Sequence, residues 1–492
     1  MERKTIKKRK SELQSNESPP KKHNTHTYFK VKNKINDSHN NEILDLLYNL
    51  EESHDYNGEI QDVIVLPKEE AKYGKLNFQL PQSVTEVLEK KGIKKLYEHQ
   101  TLALNSFMNG ENVLLCTMAA MINTLKEIPQ TAIFVFPLNA LVNDQCNSLR
   151  EMLSLSPELK HKRVVVLNGS TPADQRIRLV NEADILLTNP EMIHWCLLLK
   201  AKYLEVFLSR LSLFVLDECH CYSGSFGVHT SMLLRRIHRY CKEVFDRDFQ
   251  IIACSATIGE PKDFIESFSK VNFTVVESDT CAKEERVFIP YYGLSLFGGL
   301  KSLVSKLYDN DRRIIVFCKS RRMVGSITET LTQILPKDVV KSYRGGYTHE
   351  TRREIELALK QMKIKIVVCT CALEMGVDIG MLDVVIHVGF PLSVSSFWQQ
   401  AGRVGRRGQP SLSVLFTTME DPLERHYVYN FESLILKKEI PSIKLNFEQL
   451  KILEFHLQRS LNELDGFHSI ESIEKYFGPL AKEICENDFV RL

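Results

Sequence analysis

The apolar run Leu213–Leu216 leads straight into Asp217-Glu218-Cys219-His220. Two adjacent carboxylates delivered by a buried strand suit a magnesium–nucleotide site. Asp217 is expected to hold Mg2+ through its water shell, and Glu218 to orient and deprotonate the attacking water, with His220 in the same turn. A second apolar run, Ile251–Cys254, ends in Ser255-Ala256-Thr257. The hydroxyls of Ser255 and Thr257 can bond to the carboxylate turn and relay its state. Further on, Gln399-Gln400-Ala401-Gly402-Arg403-Val404-Gly405-Arg406-Arg407-Gly408 carries arginines at 403 and 406 with a glycine between them. Two planar guanidinium forks so spaced can enter a cleft and stabilise charge building on a γ-phosphate during transfer. An arginine–glycine run can also bind RNA, but this one follows a strand and a helix.

Three more strand ends or helix starts carry polar groups. Leu96-Tyr97-Glu98-His99-Gln100 opens a helix, and Gln100 has both a donor and an acceptor to read an adenine edge. Thr370-Cys371-Ala372-Leu373-Glu374-Met375-Gly376-Val377-Asp378 follows the run Ile364–Cys369. Thr370 offers a hydroxyl to a strand phosphate. Gly376, Asp378 and Gln399 are placed on the nucleotide side, with Asp378 meeting the ribose or the arginine loop. Ile314–Phe317 ends in Cys318-Lys319-Ser320-Arg321, suited to nucleic-acid phosphates.

One part is missing. The strand Val113–Cys116 should enter Gly-x-x-x-x-Gly-Lys-Ser/Thr, whose amides cradle phosphates and whose lysine offsets their charge. The chain reads Cys116-Thr117-Met118-Ala119-Ala120-Met121 instead, with no glycine and no lysine before Lys126. A parallel crossover needs about a dozen residues, so Thr117–Thr131 can still close the fold with a short helix at Met118–Lys126. Gly293–Ser302 nearly spells the loop, but no strand delivers it and its lysine does not directly follow a glycine. Leu300, Val304 and Leu307 mark an amphipathic helix there.

These motifs need elements to hold them. Apolar runs at Asn112–Cys116, Ala132–Phe136, Val164–Leu167, Ile185–Thr188, Leu213–Leu216 and Ile251–Cys254 alternate with helical stretches. A second series follows at Ile314–Phe317, Val339–Tyr343, Ile364–Cys369, Val384–Val388 and Ser413–Phe416. Two such series predict an α/β protein with two doubly wound parallel-sheet lobes in tandem, 43–272 and 285–430, with loops at strand carboxyl ends doing the chemistry. A helical accessory segment is expected over 431–492 and a disordered basic tail over 1–42. No apolar run is long enough to cross a bilayer, and the net charge of +2 leaves any basic surface local. The twelve cysteines lack paired metal spacing, and no secretory signal is evident, so a reducing compartment is expected. Arg3-Lys4 with Lys7–Lys10, and then Lys21-Lys22, fit either a bipartite import signal read by a nuclear import receptor or a solvated basic tail.

Together, the motifs over about residues 75–420 resemble superfamily 2 helicases, and within them the Hrq/MrfA group of RecQ-like DNA repair helicases. The carrying stretches are Phe136–Gln145, Asp217–His229 and Tyr343–Tyr347 with Arg352–Glu356, followed by Glu454–Gln458 and Tyr476–Gly478. The resemblance implies RecA-like lobes, ATP with Mg2+, and 3′→5′ movement on single-stranded DNA or a forked duplex during repair in the nucleus. It also implies backbone contacts from Pro137, Asn139, Asn168, Gly169, Thr188, Asn189, Ser320, Arg321 and Thr370. Asn139 stands where a lysine is expected, weakening that contact. The group's C-terminal zinc-binding cysteine domain has no counterpart in the sequence, so no zinc is expected from that source. With the phosphate loop missing, a non-hydrolysing nucleic-acid binder stays open beside the ATP-driven motor, as does RNA beside DNA.

Overall fold

The computed structural model describes residues 42–52, 57–114, 130–256, 258–374, 380–405, 408–437, 439–464 and 469–488. The basic tail, with the import signal expected in it, the expected helix Met118–Lys126, and positions Thr257, Gly376, Asp378 and Arg406 lie outside them.

In chain order the strands are β1 (Gly58–Ile60), β2 (Ile64–Leu66), β3 (Val113–Leu114), β4 (Thr131–Val135), β5 (Val164–Val166), β6 (Ile185–Thr188), β7 (Leu211–Leu216) and β8 (Gln250–Ala253). They continue as β9 (Thr274–Val275), β10 (Arg286–Gly293), β11 (Ile314–Cys318), β12 (Val340–Tyr343), β13 (Ile366–Cys369), β14 (Val384–Val388) and β15 (Ser411–Thr417). Among the described residues, the first lobe's sheet runs β5-β6-β4-β7-β8-β3-β9, and all its pairings are parallel. The second runs β1-β10-β15-β14-β11-β13-β12 and is parallel from β10 onward. Every apolar run in the sequence became a strand of the expected lobe. These strands are apolar at consecutive positions because helices cover both faces of each sheet. Ile133, Val135, Phe214 and Leu216 enter one core of the first lobe, while Ala132, Phe134, Leu213 and Val215 enter the other. At Ser295, the near-match to a phosphate loop is a helix start instead. Its hydroxyl accepts the Gly298 N–H at 3.2 Å and caps Leu296–Asp309.

The N-terminal end of the chain departs from the expected domain limits. The segment from 43, assigned to the first lobe, begins in the second. The helix α1 (Glu42–Glu51) buries Leu44, Leu47 and Leu50 in the second lobe's core, and β1 and β2 add antiparallel to β10. The chain then enters the first lobe, where the helix Gln82–Lys90 buries Val84 and Val87 in its core ahead of α2 (Glu98–Met108). The C-terminal segment makes the reverse crossing. Its helices α4 (Leu450–Glu463) and α5 (Ile470–Phe477) pack Leu453, Leu457, Ile473 and Phe477 on Val228 and Met232 of α3 (Gly224–Phe245), in the first lobe.

Three arginines on α3, all almost fully buried, hold that docking. Arg235 donates to the backbone oxygens of Phe268 (3.1 Å) and Tyr476 (3.3 Å) and lies over the Phe447 ring; burial brings its guanidinium down to about 9. Arg239 donates to Ser460 Oγ at 2.7 Å. Arg236 forms an ion pair with Glu463 and also meets His456 Nδ1 at 3.0 Å. Removing one partner of a buried pair strands the other charge. Glu463→Gln is therefore expected to lower unfolding free energy by about 3–5 kcal/mol, read from urea midpoints. A loss below about 1 kcal/mol, the range of exposed pairs, would overturn this account of the docking.

Candidate nucleotide and nucleic-acid sites

At the end of β7, the Asp217 N–H donates to Val135 O at 2.9 Å, fixing the turn to the neighbouring strand. Glu218 then adopts φ 50°, ψ 49°, a left-handed conformation that costs a side chain bearing a Cβ about 1–2 kcal/mol. Such strain marks sites where geometry has been kept for a purpose. It also separates the Glu218 side chain from that of Asp217. The Cys219 N–H donates to Cys254 O and the Cys254 N–H to Leu216 O, both at 2.8 Å, which locks the β7 and β8 turns together. Burial pushes the Asp217 carboxyl up to about 6, opposed by a backbone hydrogen bond from Glu218. A carboxylate so desolvated gains from a cation beside it, so Asp217 and Glu218 fit a magnesium ion.

His220 links the carboxylate turn to the Ser-Ala-Thr turn through the backbone. The described bond runs from the Ala256 N–H to His220 Nδ1 at 3.1 Å. Burial brings His220 down to about 4, so the ring is neutral with its proton on Nε2. That Nε2 is buried and has no hydrogen-bond partner among the described residues, as a group waiting for a ligand would be.

Gln100 also caps its own helix: its side-chain oxygen accepts the Tyr97 N–H at 3.1 Å, which leaves the amide nitrogen and the oxygen's second lone pair for an adenine edge. In the second lobe, Gln399 Nε2 is buried without a partner among the described residues, which fits a ligand contact. Arg403 is nearly buried, and its guanidinium donates to the backbone oxygen of Glu374, with Nε at 3.0 Å. It therefore ties the arginine loop to the segment after β13 rather than standing free in the cleft.

Sequence reasoning passed over the network around it. His387 Nδ1 lies 2.8 Å from Gln400 Oε1, its Nε2 lies 3.1 Å from Ser413 Oγ, and Gln400 Nε2 donates to Glu374 Oε2 at 3.0 Å. Burial holds His387 down at about 4 and raises Glu374. The charge of Glu374 reaches Cys221 in the first lobe's carboxylate turn, whose thiol burial and nearby carboxylates push up to about 12. The available signal was His387 itself, a polar residue inside the apolar strand Val384–Val388.

A second edge gathers the expected nucleic-acid contacts. Strands β5, β6 and β4 are neighbours, so Asn168 and Gly169, Asn189, and Pro137 and Asn139 share one carboxyl-end ridge. Asn189 Nδ2 donates to Asn139 Oδ1 at 2.8 Å, so Asn139 braces the ridge in place of the expected lysine. Asn168 Oδ1 accepts the Ser170 N–H at 3.0 Å and shapes the turn around the exposed Gly169. Thr188 does not belong to the contact set. It is fully buried, and its hydroxyl donates to Leu167 O at 2.9 Å. In the second lobe Ser320 caps the helix Arg321–Thr332, accepting the Met323 N–H at 3.2 Å, and both Ser320 and Arg321 are exposed. Thr370 accepts the Ala372 N–H at 3.4 Å.

Comparison with known proteins agrees with this arrangement. A DEAD/DEAH box helicase model matches residues 97–264, and a helicase conserved C-terminal domain model matches 299–408. The chain is 33% identical over 478 residues to ATP-dependent helicase hrq1 of Schizosaccharomyces pombe, covering 90% of this chain and 45% of that protein. It is 33% identical over 467 residues to ATP-dependent helicase HRQ1 of Saccharomyces cerevisiae, covering 88% and 43%. The chain thus spans less than half the length of these curated relatives. The crystal structure of the DUF1998 helicase MrfA bound to DNA and AMPPNP matches with a TM-score of 0.78 at 29% identity, over 85% of this chain and 61% of that one. The chain belongs to the superfamily 2 helicases, in the group of Hrq- and MrfA-like proteins.

Proposed function

We propose that this chain is the motor of an ATP-dependent helicase that moves 3′→5′ on single-stranded DNA, opens forked duplexes and acts in DNA repair in the nucleus. The observation that carries the reading is the carboxylate turn at the end of β7, with Asp217 desolvated by burial, Glu218 held left-handed and the turn locked to that of β8. ATP with Mg2+, when bound, supplies the phosphoanhydride whose cleavage drives the cycle. Asp217 would hold the metal and Glu218 would take the proton of the attacking water. Neutral His220 and Gln399 each offer a buried N–H as ligand donors. The paired Asn139 and Asn189, with Ser320, Arg321 and Thr370, would grip one backbone strand across both lobes. The basic clusters between residues 3 and 22 suit an import receptor.

A chain that binds single strands without turnover is the second reading, favoured by Cys116–Met121, where neither glycine nor lysine supplies a phosphate cradle. Sequencing the transcript across codons 110–130 separates the two: a Gly-Lys-Ser/Thr loop encoded there would end the second reading. For polarity and substrate, the chain carrying a Gly-Lys-Ser/Thr loop after Cys116 is expected to displace strands on 3′-tailed DNA, and more weakly on 5′-tailed DNA and on matched RNA. Preference for RNA, or for 5′ tails, would reject the DNA motor as described.

A further inference from the structure

The linker after β9 brings two metal-ligating side chains against a third at the head of α2. His99 offers an imidazole nitrogen, Asp279 a carboxylate oxygen and Cys281 a thiol sulfur, and these atoms lie within 4.8 Å of one another. Zinc bonds of about 2.0–2.3 Å set ligand atoms roughly 3.5 Å apart in a tetrahedron. Rotations of the two linker side chains would close the gap.

The surroundings already orient the ligands. Thr280, between the two linker ligands, places its Oγ1 2.7 Å from His99 Nδ1 and accepts the His99 backbone N–H at 3.2 Å. Tyr97 stacks on the imidazole, with ring centroids 5.7 Å apart and planes 9° apart, and Tyr73 stacks on Tyr97 in turn. Asp279 Oδ1 accepts the Cys281 N–H at 3.2 Å. Ring stacking and carboxylate hydrogen bonds are the outer contacts that hold metal ligands in place. His99 is buried, Cys281 half-buried and Asp279 exposed, so one side is open to water as a fourth ligand. Lys283 Nζ stands 3.6 Å from Asp279, but Glu69 is nearer to it at 3.0 Å and can hold it there. A nitrogen, oxygen and thiolate set selects zinc over magnesium or calcium.

We propose that His99, Asp279 and Cys281 bind Zn2+ and so staple the interlobe linker to the helix that carries Gln100. The proposal does not depend on which nucleic acid the motor acts on or whether it turns over ATP.

The test is a Co2+ titration of the whole, chelator-treated chain, followed by competition with Zn2+. One equivalent is expected to bind with a thiolate-to-cobalt charge-transfer band that Zn2+ abolishes. Cys281→Ser should lose the band, and Asp279→Asn should weaken binding roughly tenfold or more. Cys371→Ser, which alters an exposed thiol elsewhere, should keep it. Zn2+ should also raise the melting temperature of the wild-type chain and not of Cys281→Ser. If Cys281→Ser does not fold in chelator, Asp279→Asn, at an exposed position, decides alone. Absence of the band in the wild-type chain, its persistence in Cys281→Ser, or unchanged affinity in Asp279→Asn would each overturn the proposal.

Discussion

Inserting a Gly-x-x-x-x-Gly-Lys-Thr loop after Cys116 is expected to raise DNA-stimulated ATP turnover by on the order of 10³ or more over the background expected of the unmodified chain. The strand that would deliver the loop is in place: β3 pairs with β8 on one side and β9 on the other. Its carboxyl end therefore lies beside the Ser255-Ala256 turn, which is bonded to His220. What residues 115–129 lack is chemistry, namely the backbone amides a glycine loop presents and a lysine beside them. Removing a single donor aimed at a developing oxyanion costs about 10²–10³ in rate, and here several are absent together. In the loop-bearing chain, Glu218→Gln should return turnover to the background, since a positioned base contributes about 10²–10⁴. ATPase activity of the unmodified chain that Glu218→Gln abolishes would refute this account of the gap.

The lobes were legible because a strand covered by helices on both faces must be apolar at every position, and runs such as Ile185–Thr188 and Val384–Val388 satisfy that. The carboxylate turn and the Ser-Ala-Thr turn were legible for a related reason: polar residues directly after such runs fall at carboxyl ends, whereas the asparagine ridge came from the family resemblance. Position along the chain misled where the chain crosses between lobes. Nothing local in Glu42–Glu51 says which core its leucines will enter. The arginines of α3 look like a solvated face in sequence. Only the returning C-terminal helices, over two hundred residues later, turn that face into a buried one. Thr188 shows the limit for single residues. A hydroxyl at the right place is as able to satisfy the backbone next to it as to meet a ligand, and this one does the former.

Glu374→Ala, made in the loop-bearing chain, is expected to lower kcat about 10²-fold while leaving KM for ATP nearly unchanged. Arg403 reaches the backbone oxygen of residue 374, not its carboxylate. The carboxylate acts one step away, by accepting Gln400 Nε2, whose own oxygen is bound to the buried, neutral His387. Cutting that bond leaves Gln400 with an unpaired buried N–H at a cost of about 1–3 kcal/mol, and frees the segment after β13 to shift. A displacement near 1 Å in a group that must meet a transferring phosphoryl costs about 10²-fold, and such a loss falls on kcat when ground-state binding is unaffected. Glu374→Gln keeps an oxygen for Gln400 and the same backbone carbonyl, so it should recover most of the rate. Any deficit left in Glu374→Gln measures what the carboxylate contributes beyond the bond to Gln400. A Glu374→Ala chain that loses stability yet keeps wild-type kcat would mean that the network braces the second lobe and does not position Arg403 for catalysis.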